Sequence, residues 1–171
     1  MSLISASTAF GWEDTVRSLV KRRGKVDIYD YGLEHQPWHR AVKFRTTPGA
    51  IFIRHQPDFL CVPRDRSCDV FFLEAKAGST ITVDAWESYR AMPAPVYLMI
   101  LDPRDNRIWR GRVDQIGLQD ARVQVAKYPK PWDTCGPWFA GGCDARGSKR
   151  PYREFDWNTL KLVGRAEELA A

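Results

Sequence analysis

Residues 56–76 read QPDFLCVPRDRSCDVFFLEAK: two apolar runs joined by PRDRS, with Asp58, Glu74 and Lys76 set among them. Both runs have strand length and are rich in Phe, Val and Leu, and the Pro, Asp and Ser between them are turn residues. The segment therefore predicts a hairpin with strands over 59–62 and 69–75. Charged groups on so apolar an element cost free energy unless something compensates them. In a hairpin centred on Arg66, Asp58 falls opposite Glu74. Strand alternation puts Lys76 on the face of Glu74, two residues along. Two carboxylates and one ammonium group thus converge on one side of a sheet.

Like charges directly opposite in a strand pair are destabilising. A hard cation such as Mg²⁺, or Mn²⁺ in its place, removes that repulsion, because it takes oxygen ligands and is commonly held by one or two carboxylates plus substrate phosphate. A neighbouring lysine then suits polarisation of an attacking water or stabilisation of charge on phosphorus. The pattern fits metal-assisted phosphodiester hydrolysis. The plain alternative makes Asp58 a surface residue at a strand start and Glu74–Lys76 an exposed ion pair. Val70, Phe71, Phe72 and Leu73 argue against it, because they make the strand apolar on both faces.

Outward from the hairpin, residues 8–23 predict a helix. Ser7 or Thr8 suits its cap, Lys21, Arg22 and Arg23 the negative end of its dipole, and Gly24 its stop. Val16, Leu19 and Val20 form its apolar stripe, and Glu13 shares their side. Residues 26–31 and 50–55 predict strands, with EHQPWHR as a loop between them. Ile81, Ala85, Tyr89 and Met92 recur at helical spacing and predict a helix over 82–92, ended by Pro93 and Pro95. The run VYLMIL at 96–101 predicts a strand covered on both faces. DPRDN then turns into a further strand over 107–113. Residues 121–127 predict another, and Asp156 suits the cap of a last helix over 156–169. This order implies an α/β (α+β) fold, a sheet with helices against it. The 171 residues fit one domain, with a core over about 8–113 and a basic, Pro/Gly-rich C-terminal extension over about 114–171.

Pro57-Asp58 followed after a short hairpin by Glu74-Ala75-Lys76 resembles the PD-(D/E)xK nuclease superfamily, which includes restriction endonucleases, Holliday junction resolvases and phage and repair nucleases. The resemblance spans about residues 8–101 and implies a restriction-endonuclease-like mixed β-sheet core flanked by helices. It also implies that Asp58 and Glu74 hold Mg²⁺ or Mn²⁺, that the Ala75 carbonyl completes the coordination, and that Lys76 is the catalytic lysine. Glu13 matches the first-helix carboxylate that many members place near the metal. The expected product carries a 5′-phosphate. The chain departs from the pattern in the helix after Lys76, which offers Glu87, Tyr89 and Arg90 where some related nucleases use a Gln or Lys to orient the substrate.

The implied function is a metal-dependent deoxyribonuclease acting in DNA repair, recombination or phage DNA processing. The alternatives are a DNA- or RNA-binding module that keeps the fold without cleaving, and a metal enzyme with an unrelated substrate. A junction resolvase would be a symmetric homodimer. The formal net charge of +5 suits a polyanionic partner, although many soluble proteins carry as much without one. Arg146, Lys149, Arg150 and Arg153, in ARGSKRPYR, suit phosphate contact, with Tyr152, Trp132 and Trp138 available for stacking. Arg110 and Arg112 share a strand face that either extends this surface or is a solvated edge. Cys135 and Cys143 have no matching Cys or His pair nearby, which argues against zinc, and Cys61 and Cys68 suit packing as small apolar residues. Four cysteines are too few for a disulfide scaffold and fit a reduced cytoplasmic compartment. No apolar run approaches the ~20 residues of a membrane span. The N-terminal MSLISASTAF lacks the basic and apolar regions of a secretion signal.

Overall fold

The structure, a computed structural model, describes residues 9–37, 47–102, 104–119, 122–123 and 151–166. Helix α1 (Ala9–Arg22) ends on Lys21 and Arg22, and Gly24 follows in the left-handed region at φ 62°. That conformation costs glycine little and lets the chain reverse into β1 (Val26–Asp30). Strands β2 (Phe59–Pro63) and β3 (Phe71–Ala77) form the expected antiparallel hairpin. After β3 come a short strand β4 (Thr80–Thr82), helix α3 (Val83–Arg90) and β5 (Val96–Asp102), which pairs parallel to β3. β6 (Arg107–Arg112) folds back on β5. The six-stranded sheet runs β1-β2-β3-β5-β6-β9, closed by β9 (Lys161–Arg165) and antiparallel at every pair except β3–β5. A second sheet, ordered β4-β8-β7, joins β4 to β8 (Pro151–Glu154) and β7 (Arg122–Val123).

The main sheet has two buried faces, and each has its own core. On one, Trp12 and Val16 of α1 pack on Phe59, Cys61, Leu73, Leu101 and Ile108. On the other, Ala85, Trp86 and Tyr89 of α3 pack with Phe72, Leu98, Ile100 and Phe155. β5 contributes to both, as its continuous apolar run implies. Arg17 ties α1 to the sheet, with its guanidinium 5.2 Å above the Phe59 ring and paired to Asp30.

Two expected elements are different. Residues 50–55 are not a strand: helix α2 (Pro48–Arg54) occupies them. Thr47 accepts a hydrogen bond from the Ala50 N–H at 3.4 Å and Pro48 stands in the first turn, so local capping overrides the strand preference of Ile51, Phe52 and Ile53. Asp156 does cap, accepting from the Asn158 N–H at 3.1 Å, but it caps a single 3-10 turn (Trp157–Thr159) and not a helix over 156–169. Residues 161–165 instead find the open edge of β6, where ladder pairing outweighs a short helix. Cys61 is buried as expected, while Cys68 lies exposed in the hairpin loop. Of residues 121–127, 122–123 form a strand and the others lie outside the described residues, as does the expected helix cap at Ser7 or Thr8. Among the described residues no helix is long and apolar enough to cross a membrane.

Candidate active site

The β2–β3 ladder pairs Phe59 with Leu73, Leu60 with Phe72 and Cys61 with Phe71. The same register, extended one step, sets Asp58 opposite Glu74 as the hairpin arithmetic requires. The ladder stops at that step, and side chains take over from backbone. Glu74 Oε2 accepts the Asp58 N–H at 3.2 Å, and Asp58 Oδ2 accepts the Ala75 N–H at 2.7 Å. The Asp58 carbonyl accepts from the N–H groups of Tyr31 and Gly32 at 2.8 and 3.0 Å. Pro57 beside it is fully buried. The two carboxylates are therefore held by the backbone of the diverging strands, which fixes their positions to the sheet.

Lys76 Nζ lies 2.8 Å from Glu74 Oε1, with 30% of the lysine side chain exposed against 5% of the glutamate. The site is thus carboxylate at its base and ammonium at its mouth. Its neighbours across the parallel pair, Leu98 opposite Glu74 and Ile100 opposite Lys76, are wholly buried. In such surroundings charge is poorly solvated. Burial, reinforced by the Glu74 charge, pushes the Asp58 carboxyl up to about 9, although the Ala75 N–H acts in the opposite direction. Lys76 is raised chiefly by Glu74 and stays charged. Glu13, half-buried on α1, adds to both upward shifts, so its charge reaches the site.

Asp58, Glu74, Ala75 and Lys76 are brought together, and the charge of Glu13 reaches Asp58 and Lys76 from α1, which packs on the other face of the sheet. Among the described residues no group of three or more His, Cys, Asp and Glu side chains is arranged as a metal cage. The donor chemistry still suits a hard cation: two buried carboxyl groups lie beside one lysine that pairs with only one of them, and a bound cation would let Asp58 give up its proton and serve as an oxygen ligand. Mg²⁺ or Mn²⁺ would be held by Asp58 and Glu74, with the Ala75 carbonyl beside them.

The expected nucleic-acid residues are scattered. Arg110 is exposed, and Arg112 is paired with Asp114 at 2.5 and 2.6 Å. Both lie in register with Met99 and Tyr97, on the sheet face opposite Glu74 and Lys76, so they do not extend the carboxylate site. Arg153 is half-buried in the second sheet, opposite Ile81. Arg146, Lys149 and Arg150, with Trp132, Trp138, Cys135 and Cys143, lie outside the described residues, as does the Tyr152 side chain. In the helix after Lys76, Tyr89 is buried while Glu87 and Arg90 are exposed.

Sequence reasoning missed Asp102. It is buried at the end of β5 on the face of Glu74 and Lys76, and Arg104 holds it through bonds of 2.6 to 3.2 Å. The Arg104 guanidinium lies 5.6 Å from the Trp157 ring centroid, and its hydrogen bonds hold Asp102 below the usual carboxylate range. The DPR spacing was the available signal, since an Asp two residues before an Arg can close on it at a turn.

Comparison with known proteins gives no match: no family model fits the chain, no curated protein is similar to it, and no solved structure matches it.

Proposed function

We propose that the chain is a divalent-metal-dependent deoxyribonuclease with a restriction-endonuclease-like core, hydrolysing DNA phosphodiester bonds in the cytoplasm. The observation that carries this reading is the clamp at the split between β2 and β3, where two buried carboxylates are fixed by backbone N–H groups beside a partly exposed lysine. A structural ion pair needs one carboxylate per lysine, and a second buried acid opposite the first is costly unless it serves a cation.

Asp58 and Glu74 are the metal-holding residues, with the Ala75 carbonyl as a further oxygen. Bound there, Mg²⁺ or Mn²⁺ supplies Lewis-acid charge to a phosphodiester. Glu74 orients Lys76 by their 2.8 Å contact. Lys76 Nζ donates to the attacking water or to a non-bridging phosphate oxygen and offsets the charge that develops on the phosphoryl group. Glu13 adds negative charge that favours cation uptake.

The test is cleavage of labelled linear duplex, single strand, nicked circle and four-way junction with Mg²⁺ or Mn²⁺, with EDTA as control and Glu74→Gln beside wild type. Metal-dependent cutting that the variant loses supports the reading, and preference for the junction would point to a homodimer. Binding without cutting by wild type would replace it with a non-catalytic DNA-binding module.

A further inference from the structure

On strands β3, β5, β6 and β9 of the main sheet, the acids lie on one face and the exposed Arg110 and Lys161 on the other. Glu74, Lys76 and Asp102 lie on the face of α3. On the face of α1, strands β3, β5, β6 and β9 carry no carboxylate at all. That face instead holds Arg112 in register with Tyr97, and Arg110 in register with both Met99 and Lys161. Arg110 and Lys161 are exposed like charges directly opposite each other, an arrangement that costs stability unless an anion lies across it. Phe71 and Tyr97 stand beside them with ring centroids 5.3 Å apart at 74°, both half-buried. Among the described residues, α1 packs mainly over β1 and β3 and reaches β5 through the Trp12 Nε1–H donated to the Met99 carbonyl at 3.2 Å, and Arg110 and Lys161 stay exposed beyond it.

We infer that this open face, with Tyr97 and Phe71 as stacking surfaces and Arg110, Arg112 and Lys161 as phosphate contacts, is a platform for single-stranded DNA, separate from the carboxylate site on the opposite face. Aromatic rings on a sheet, bordered by basic side chains, offer an unpaired strand the two contacts it takes, a ring face for a base and a cation for a phosphate. A duplex keeps its bases stacked on one another and offers only their edges in the grooves, so it presents no base face to Tyr97 or Phe71. Arg112 is paired with Asp114, so Arg110 and Lys161 carry the exposed positive charge of this face. The platform deepens the proposed nuclease reading by naming the strand it would retain, and it rests on that reading for its choice of DNA.

The experiment is fluorescence anisotropy of labelled oligo-dT, about twenty nucleotides long and so longer than a single-domain site, with the full chain in EDTA to prevent cutting. The Arg110→Gln/Lys161→Gln variant should bind on the order of tenfold more weakly. Its log–log salt slope should be shallower by about 1.4, two phosphate contacts at about 0.7 each. Tyr97→Leu, which keeps apolar bulk, should lose about fivefold or more. All three positions are at the surface or half-buried, and thermal melts confirm that each variant is folded. Unchanged affinity and slope in the double variant would overturn the platform, and so would duplex bound as tightly as single strand with Tyr97→Leu indifferent. Cleavage with Mg²⁺ is read separately. Wild type that binds through this face and never cuts overturns the nuclease and keeps the platform. Wild type that cuts while the double variant binds unaltered does the reverse.

Discussion

Asp58 is the residue on which the site turns. Its carboxyl, raised to about 9 by burial and Glu74, keeps its proton in the folded chain at pH values where the unfolded chain, near the ordinary 3.8, has lost it. Folding therefore takes up a proton across that window, and stability falls as pH rises from about 4 towards 9. The urea midpoint of the metal-free protein should be lower at pH 8.5 than at pH 6, and Asp58→Asn should flatten the difference. At Glu74, Gln can still accept the Asp58 N–H but carries no charge, so Glu74→Gln should lower cleavage by about a hundredfold or more while leaving oligonucleotide affinity within about twofold. The opposition of Asp58 and Glu74 is legible in the sequence because a connection centred on Arg66 gives the register the ladder has, although seven residues separate β2 from β3. The reciprocal bonds to backbone N–H groups are not, because they depend on where the ladder ends, which is decided by the departure of β2 towards Tyr31 and Gly32.

At the level of elements, capping and close packing decide what periodicity leaves open. Thr82 accepts from the Ala85 N–H at 3.3 Å at the start of α3, and Thr82→Ala should cost about 1 kcal/mol in denaturant unfolding. Gly111 shows the opposite constraint. A Cβ there would meet Ile116 Cγ1 at 2.6 Å and Leu160 Cδ2 at 2.8 Å, so Gly111→Ala should destabilise by about 1–3 kcal/mol, read as a lower urea midpoint with an unchanged slope. Helix α3 and strand β5 are legible from Ile81, Ala85, Tyr89 and the VYLMIL run because their apolar patterns agree with their local stops. α2 was hidden because three strand-favouring residues in a row outweigh a Thr-Pro start in any reading by composition, although that start carries the cap. β9 was hidden for a different reason. Its partner is the outer edge of β6, and nothing local in KLVGR distinguishes a helix from a strand waiting for that edge.

For the whole molecule, the described C-terminal residues are part of the fold's interior. Phe155 is fully buried against Ile81, Trp86 and Leu98, and its N–H donates to the Ser79 carbonyl at 2.9 Å, so Phe155→Ala should cost about 3–5 kcal/mol and lower the melting temperature accordingly. The sixth strand comes from residues 161–165, and its partner β6 from residues 107–112. During synthesis at about 5–20 residues per second, β6 leaves the ribosome seconds before its outer neighbour exists. In that interval Trp109 and Ile108 sit on an unpaired edge, the kind that recruits other nascent chains. Chains arrested before residue 161 should therefore remain open to protease and bind chaperones, while those extended past residue 166 should become resistant. The order in which the strands are made, and not their number, sets when this protein is most exposed to aggregation.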